Sequence, residues 1–377
     1  MLIEMPTTGE EQMTTGGNER GFTIVELLAA VVVTVVIVGA AMATLVSSNR
    51  TSHVNSQVAD TQQNVRIAID IMTRDIRLAG FNYNATDPAT PTVGACTSGG
   101  RPVGLLPQDQ NIAGADTGPD RISLVVPVLS TATTPWTLTA AAGSVPPNPA
   151  TPFTVITMAG AAITDMTAQG LGVGSVVSLG GAASRRVSAV TPGTVTFDAS
   201  IDGQFPIGTP VYLMQCVQYQ VSTATATCGA NSAPCLVRNG TPIVDGVEDL
   251  QFAYACDGCN TAAPNPVAPD GVIDEWDVTP NGFTVGDFVS NSTWSGAAPL
   301  TNMRPNTIRL AQISIVARQT RIEEGTTESG KLAINSTGPI LVGDHDPSTP
   351  GDPGYNLASY QQQRRRVLTR AVQPRNL

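Results

Sequence analysis

The residues that could carry out chemistry in this chain are few, and they begin with its two histidines. His53 stands alone, whereas His345 lies between Asp344 and Asp346 in a Gly-Asp-His-Asp-Pro segment. The flanking carboxylates could help His345 to hold a metal, but a solvated turn is the favoured interpretation. The sequence has no G-x-S-x-G, H-E-x-x-H, P-loop or dinucleotide-binding signature. We therefore predict no catalytic residue and no enzymatic activity.

A second candidate is the acidic segment PDGVIDEWD, which places Asp270, Asp274, Glu275 and Asp277 in one short loop. Carboxylates at nearly alternating positions around a glycine suit calcium. The spacing departs from that of an EF-hand loop, so a solvated acidic turn is favoured over a calcium loop. Calcium held by Asp270, Asp274 and Asp277 would stiffen the loop, and no other cofactor is predicted.

Six cysteines follow the only strongly apolar segment, on the side that would be exported; they are Cys96, Cys216, Cys228, Cys235, Cys256 and Cys259. An even number in an exported region indicates disulfides, and six cysteines allow about 15 pairings. The Cys256-Asp-Gly-Cys259 motif lacks the second ligand pair of a zinc site and the context of a redox helix. The structural disulfides Cys256–Cys259 and Cys228–Cys235 are therefore favoured.

The composition indicates an exported, strand-rich protein that does not bind nucleic acid. Charged residues make up 13% of the 377 residues, where about 25% is usual. Gly and Pro number 36 and 28, which favours strands, turns and long loops. The net charge of −10 leaves no basic stripe to neutralise phosphates.

The N-terminal region contains an apolar run at residues 22–46 with a single charge, Glu26. Its last twenty residues, Leu27–Val46, span roughly 30 Å as a helix, which is enough to cross a bilayer. A secretory signal peptide is the simplest alternative explanation of this apolar run. The run is longer than the apolar core of a typical signal peptide, however, and no A-x-A cleavage site follows it. A carboxylate inside lipid is costly, so Glu26 invites a functional explanation.

The string RGFTIVELLAAVVV, Arg20 to Val33, resembles the processing signal of type IV prepilins. The resemblance implies that residues 1–21 are a leader peptide, that a prepilin peptidase cuts between Gly21 and Phe22, and that the new Phe22 amine is methylated. It also implies that Glu26 pairs with the amine of a neighbouring subunit during assembly, since a buried charge needs a partner. The leader departs from the pattern because it is acidic, and translation from Met13 is an alternative start.

Beyond the apolar run, residues 47–80 read as an amphipathic continuation of the same helix, with apolar residues at helical spacing from Val54 to Ile76. Gly80 is the predicted stop. The segment MTRDIRLAGF, Met72–Phe81, is similar to the helix end of PilW-family minor pilins and of J-type pseudopilins of type II secretion. Within it, Arg74, Asp75 and Arg77 are interpreted as solvated or salt-bridging scaffold residues.

Residues 81–377 are predicted to form a β-rich head, which gives an α+β fold of the pilin type. The segments VDGVEDLQFAY, IRLAQISIVARQ and RRRVLTRAVQPRNL also resemble the PilW pattern. The last of them is interpreted as a charged edge strand that could contact a partner or an anionic surface. Period-2 patterns and turn residues predict strands at Arg121–Leu129, Phe153–Thr157, Ser175–Leu179, Arg186–Val190, Thr194–Phe197, Val211–Tyr219, Val247–Tyr254 and Ile308–Arg318.

The resemblance implies a minor pilin of a type IV pilus, anchored in the inner membrane with its head in the periplasm and later displayed on the cell surface. A head of about 300 residues would crowd a repetitive shaft, which favours the filament tip. The implied partners are major and minor pilins, prepilin peptidase, the inner-membrane assembly platform and a tip adhesin. A type II secretion pseudopilin, a DNA-uptake pilus subunit and a membrane-anchored hydrolase or sugar-binding module remain alternatives.

Overall fold

The structure is a computed structural model, and its described residues begin at Gly21. They are 21–83, 85, 89–108, 118–128, 130, 135–143, 151–229, 234–258, 271–273, 283, 287–290, 305–319, 340–343, 345 and 363–377. The predicted calcium residues Asp270, Asp274, Glu275 and Asp277 lie outside this set, as does Cys259. Internal contacts divide the chain into two units, Met1–Asn55 and Ser56–Leu377.

The first helix, α1, runs from Ile24 to Leu78, and each end lies within two residues of the predicted range 22–80. Its part in the first unit is long and apolar enough to cross a membrane by length and composition. The large apolar side chains between Phe22 and Val46 are exposed in that unit. This part of the helix is compatible with membrane anchoring.

Within the second unit, α1 buries one stripe of side chains against the head. The buried apolar residues recur at three- and four-residue spacing, as one helix face requires; they are Val65, Ala68, Ile69, Met72 and Ile76. The helix ends where the backbone at Gly80 turns to a φ of +71°, a conformation that glycine adopts without strain. A Cβ atom at this position would lie 2.6 Å from the backbone oxygen of Asn376, so close chain contact also requires glycine.

The head contains fourteen strands and two further helices in the described residues. The strands are β1 Thr97–Ser98, β2 Arg101–Pro102, β3 Leu105–Gln108, β4 Arg121–Pro127, β5 Phe153–Thr157, β6 Val176–Leu179, β7 Ala183–Val190, β8 Thr194–Ile201, β9 Val211–Ser222, β10 Cys235–Arg238, β11 Thr241–Asp245, β12 Val247–Cys256, β13 Ile308–Arg318 and β14 Arg365–Val372. The helices are α2 Gly160–Ala168 and α3 Thr225–Cys228, and Pro305–Thr307 forms one turn of 3-10 helix.

These strands form two larger antiparallel sheets and one small hairpin. The nine-stranded sheet has the order β11-β10-β9-β6-β7-β8-β5, with β4 also on β9 and β3 on β4. The second sheet has the order β12-β13-β14, and β1 pairs with β2. The long strand β9 carries β4 on one side and both β6 and β10 on the other, since Met214 and Tyr219 each have two partners. The predicted α+β architecture with a long N-terminal helix and a β-rich head is confirmed.

The two largest apolar clusters in the described residues of the head form separate cores. The first core contains the buried stripe of α1 together with residues from β3, β4 and β9–β14. The second core lies in a lobe formed by β5–β8 and α2, with Trp136 and Phe205 at its margin. Sequence patterns identified most of these strands, but they did not indicate α2, because its small residues Gly, Ala and Thr resemble the surrounding loops.

Candidate functional site

The start of α1 is held by reciprocal contacts between Thr23 and Glu26. The Glu26 backbone N–H donates to the Thr23 hydroxyl at 3.2 Å, and that hydroxyl donates to Glu26 Oε2 at 3.3 Å. The Thr23 backbone N–H also lies 3.4 Å from Glu26 Oε2. Thr-x-x-Glu at a helix start is a capping box, which satisfies amides that have no partner within the helix.

The three residues predicted to direct processing and assembly lie together at this end. Gly21 and Phe22 precede the helix, and the Phe22 side chain is 84% exposed. Glu26 is exposed as well, so its carboxylate is accessible to a partner. Cleavage after Gly21 and the assembly role of Glu26 stay predictions. The capping role of Thr23 was missed, although the Thr-Ile-Val-Glu spacing signals it.

A buried polar cluster joins the last turns of α1 to the nine-stranded sheet. The Tyr219 hydroxyl on β9 donates to Asp75 Oδ2 at 2.6 Å. From β10, the Arg238 guanidinium lies 3.0 Å from the same carboxylate through Nη2 and 3.1 Å through Nε. The Asp75 side chain is only 4% exposed. The prediction that Asp75 is a salt-bridging scaffold residue is confirmed.

The electrostatics of this cluster favour one ionisation state. Burial, and then the neighbouring Asp75 carboxylate, raise the pKa of Tyr219 above its ordinary value. Burial lowers the pKa of the Arg238 guanidinium, but Asp75 and Tyr219 raise it, and the net direction is upward. Tyr219 therefore stays a neutral donor beside a paired aspartate, which suits a structural tie and not proton transfer.

The C-terminal strand β14 is attached to the same part of α1. Arg370 Nη1 lies 2.7 Å from Asp70 Oδ1, in an exposed ion pair. Further along, the Asn376 side-chain amide donates to the Arg77 carbonyl at 3.2 Å. In the part of the chain that the structure describes, β14 is the last strand of its sheet, as expected for the predicted arginine-rich edge strand.

A second charged cluster links the three strands of the smaller sheet. Glu248 on β12 accepts hydrogen bonds from Arg365 on β14. It also forms an ion pair with Arg318 on β13, whose Nη1 atom lies 3.6 Å from Glu248 Oε1. Burial lowers the pKa of the Arg318 guanidinium, the Glu248 carboxylate opposes this shift, and the charge of Arg365 adds to it. One carboxylate thus lies between two cations and crosslinks three consecutive strands.

The structure places His345 in a buried pair, so the prediction of a solvated turn is wrong. His345 is 3% exposed, and its Nδ1 atom lies 2.8 Å from Asp249 Oδ2. The other oxygen of Asp249 accepts from the Leu250 backbone N–H at 2.8 Å and from Gln251 Nε2 at 3.1 Å. The partner is 96 residues away in sequence, so local pattern could not reveal it. Asp344 and Asp346 lie outside the described residues.

Two disulfides are defined in the described residues. Cys228–Cys235 is bonded as predicted and closes the turn between β9 and β10. Cys96 pairs with Cys216 over a separation of 120 residues, a pairing that the sequence did not select. Cys256 is also disulfide-bonded, while Cys259 is outside the described residues, so the Cys256–Cys259 pairing stays a prediction.

A cavity of about 540 Å³ lies beside the end of α1, next to Gly80, Asn82, Arg309 and Asn376. Arg309 already serves the fold: its Nη1 donates to the Leu377 oxygen at 3.2 Å, and its Nε lies 3.5 Å from Asp257. Asn82 Nδ2 is buried and has no hydrogen-bond partner among the described residues. The Asn376 amide is bonded to the end of α1. In the part of the chain that the structure describes, no group of three or more His, Cys, Asp or Glu side chains could hold a metal ion.

A long apolar N-terminal helix followed by a β-rich head of antiparallel sheets defines a helix-first α+β class of protein. Residues 216–376 match the family model described as Type IV Pilus-assembly protein W, PilW. This match confirms the predicted resemblance to the PilW family over residues 216–376. It supports the interpretation that the chain is associated with type IV pili. Neither a curated protein nor a solved structure matches the chain.

The family match begins within β9 and continues through β14. It therefore contains the smaller sheet, the Arg238 end of the cluster around Asp75, and the buried His345. The lobe formed by β5–β8 and α2 lies before the match. The matched region supplies most of the head residues in the core that contains α1, and β3 and β4, which precede the match, supply others.

Proposed function

We propose that this protein is a minor pilin-type structural subunit of a type IV pilus, without enzymatic activity. A prepilin peptidase removes residues 1–21, and residues 22–46 hold the mature chain in the inner membrane before assembly. The head, residues 81–377, lies in the periplasm and later at the filament tip, where it primes assembly or caps the filament.

The observation that carries this proposal is the combination of the exposed apolar part of α1 with a head that matches the PilW family. An apolar helix of this length needs either lipid or other apolar helices around it. A filament core built from such helices supplies the second environment. The same helix can therefore serve as a membrane anchor first and as a packing element afterwards.

Glu26 has a defined task in this scheme. Cleavage after Gly21 creates an ammonium group on Phe22, one turn before Glu26. Within one chain Glu26 already contacts Thr23 as a cap. In the assembled filament its carboxylate pairs with the Phe22 amine of a neighbouring subunit, and this pair offsets the cost of burying each charge.

The proposal is tested by mass spectrometry of the N-terminus of the chain recovered from purified filaments. We expect a peptide that begins at a methylated Phe22. A chain in functional filaments that retains Met1 or Met13 would contradict the proposal. Deleting the gene should reduce surface pili and leave type II secretion unchanged, and the reverse result would indicate a pseudopilin.

A further inference from the structure

Strand β14 forms an open edge of the smaller sheet. Among the described residues it is paired with β13 alone, and six of its eight residues are exposed. An edge strand presents alternate backbone N–H and C=O groups away from its neighbour. These groups can accept one further strand.

The side chains of β14 make this edge partly apolar and partly cationic. Arg366, Leu368 and Arg370 share one face, because they lie opposite the core residues Ala317, Ile315 and Ile313 of β13. The β13 residues are fully buried, whereas Leu368 is 37% exposed. The apolar face of the sheet therefore continues from the buried Val372 to Leu368, which the described residues leave partly exposed. We call Arg366, Leu368 and Arg370, together with the outer edge of β14, the arginine ledge.

The charge of the ledge is opposite to that of the whole chain. Residues 364–377 contain five arginines and no acidic residue, although the chain has a net charge of −10. Arg365 is turned inward to Glu248, and the contact recorded for Arg370 among the described residues is with the exposed carboxylate of Asp70. Exposed ion pairs contribute little and exchange partners readily. Arg366 is exposed on the same face.

The other terminal strands of the two larger sheets carry different signals. Strand β11 has Pro242 and Asp245, and the strands β5 and β3 have the uncharged sequences Phe-Thr-Val-Ile-Thr and Leu-Leu-Pro-Gln. Strand β12 carries the acids Glu248 and Asp249, which are paired within the head. Positive charges on an edge oppose pairing with another positive edge, so the ledge disfavours a second copy of itself. The positive charges of the ledge favour pairing with a strand that has carboxylates at alternate positions, because opposite charges across a strand pair stabilise the pair.

We propose that the arginine ledge binds an acidic, extended segment of a neighbouring filament subunit, which adds to β14 as a fourth strand. Backbone hydrogen bonds supply the attachment, and Arg366 and Arg370 select acidic residues in the added strand. Leu368, which lies between these two arginines, contacts an apolar side chain of the added strand. The inference rests on the proposed function, since it requires neighbouring subunits in a filament.

The experiment uses the full chain in native cells that assemble filaments, with a photoreactive benzoylphenylalanine at Thr369 on the opposite face of β14. Light should crosslink the chain to another pilin-type subunit, and the crosslinked peptide should contain Asp or Glu. In the variant Arg366→Glu/Arg370→Glu we expect at least about a ten-fold loss of this adduct. Arg366→Lys/Arg370→Lys should retain most of it, because the charge is kept.

A third variant separates the ledge from the internal ion pair. Asp70→Arg/Arg366→Glu/Arg370→Glu restores an opposite-charge pair between α1 and β14 but leaves the strand acidic, and we expect its adduct to be lost as well. Near-UV circular dichroism of the purified variants checks that each remains folded. Recovery of the adduct in the Asp70→Arg variant would show that only the internal pair mattered and would overturn the proposal.

The remaining outcomes are also decisive. If the wild-type chain is present in filaments but the probe captures only lipid, a second copy of this chain or nothing, the ledge proposal is overturned and the proposed function stands. An adduct that is insensitive to charge reversal also overturns it. If the wild-type chain is absent from filaments, the proposed function fails, and the ledge proposal fails with it.

Discussion

The Tyr219 hydroxyl donates a hydrogen bond of 2.6 Å to the carboxylate of Asp75, across 144 residues of sequence. This contact joins the end of α1 to β9, the strand that organises the nine-stranded sheet. Within the second unit, this cluster and the apolar stripe beside it hold the end of α1 on the head, together with the exposed contacts from Arg370 and Asn376. Removal of the cluster should therefore weaken the attachment of the helix more than removal of any exposed contact does.

The first prediction concerns Asp75. Asp75→Ala leaves the Tyr219 hydroxyl and the Arg238 guanidinium without their shared acceptor, so we expect a loss of about 2–4 kcal/mol in the free energy of unfolding. Asp70→Ala is the matched control, because Asp70 is an exposed acid on the same helix and should cost less than about 1 kcal/mol. Urea unfolding of the purified chain in detergent, followed by near-UV circular dichroism, measures both. Equal losses would contradict a special role for Asp75.

The second prediction is a dependence on alkaline pH. The folded state raises the pKa of Tyr219 by burial and by the Asp75 charge, whereas an unfolded tyrosine titrates near about 10. The contribution of Tyr219 to the free energy of unfolding is complete below about pH 10. It is lost as the pH rises toward the pKa of the folded state, because in that range the unfolded chain has released the phenolic proton and the folded chain has not. Unfolding midpoints between about pH 8 and 11 should fall more steeply for the wild type than for Tyr219→Phe. Parallel curves would argue against this linkage.

The third prediction separates the two roles of Glu26. Glu26→Gln keeps an oxygen for the cap at Thr23 but removes the charge, so we expect normal helicity and at least about a ten-fold drop in filament incorporation, which corresponds to about 1.4 kcal/mol. Thr23→Val removes the hydroxyl cap and should fray the helix start with a smaller effect on incorporation. Immunoblots of sheared filaments and of membranes give the ratio of chain in filaments to chain left in the membrane. Normal incorporation of the Glu26→Gln chain would refute the charge-pairing role.

The fourth prediction concerns the buried pair of His345 and Asp249. His345→Ala leaves a buried aspartate oxygen without its imidazole partner, and we expect a loss of about 1–3 kcal/mol. His53→Ala is the control, because His53 is exposed on α1 and should have little effect. Hydrogen exchange at Leu341–Gly343 should also increase in the His345 variant. Unchanged exchange there would mean that the pair does not hold this segment on β12.

The fifth prediction compares the two defined disulfides. Cys96–Cys216 closes a separation of 120 residues and Cys228–Cys235 a separation of 7. Because the entropy of the unfolded chain falls more when a longer loop is closed, the first bond should contribute about 2 kcal/mol more than the second. Double Cys→Ser variants of each pair, unfolded by urea under oxidising conditions, test this order. The reverse order would show that native-state strain outweighs loop closure.

Much of the architecture was predictable from local patterns. The apolar run at residues 22–46 and the amphipathic continuation predicted α1, and alternation predicted Ile308–Arg318 with both ends correct. Short strands such as β10 and β11 were missed, since four or five residues carry little periodic signal. Helix α2 was missed because it is only 9 residues long and its small residues resemble the Gly-, Ala- and Thr-rich loops around it, although alanine itself favours a helix.

The candidate sites also divide into those that neighbouring residues in the sequence predict and those that depend on distant residues. Sequence alone showed the isolated charge of Glu26 and predicts a processing signal at Gly21 and Phe22, because each depends on neighbours within a few positions. The processing itself stays a prediction. It also favoured Cys228–Cys235, whose members lie close in the chain.

Only the tertiary structure decided that Asp75 meets Tyr219, that His345 is buried against Asp249, and that Cys96 bonds to Cys216. These partners are about a hundred residues or more apart in sequence. The packing of the sheets and α1 brings these partners together. Local residue preferences cannot predict such contacts, because they depend only on neighbours in the sequence.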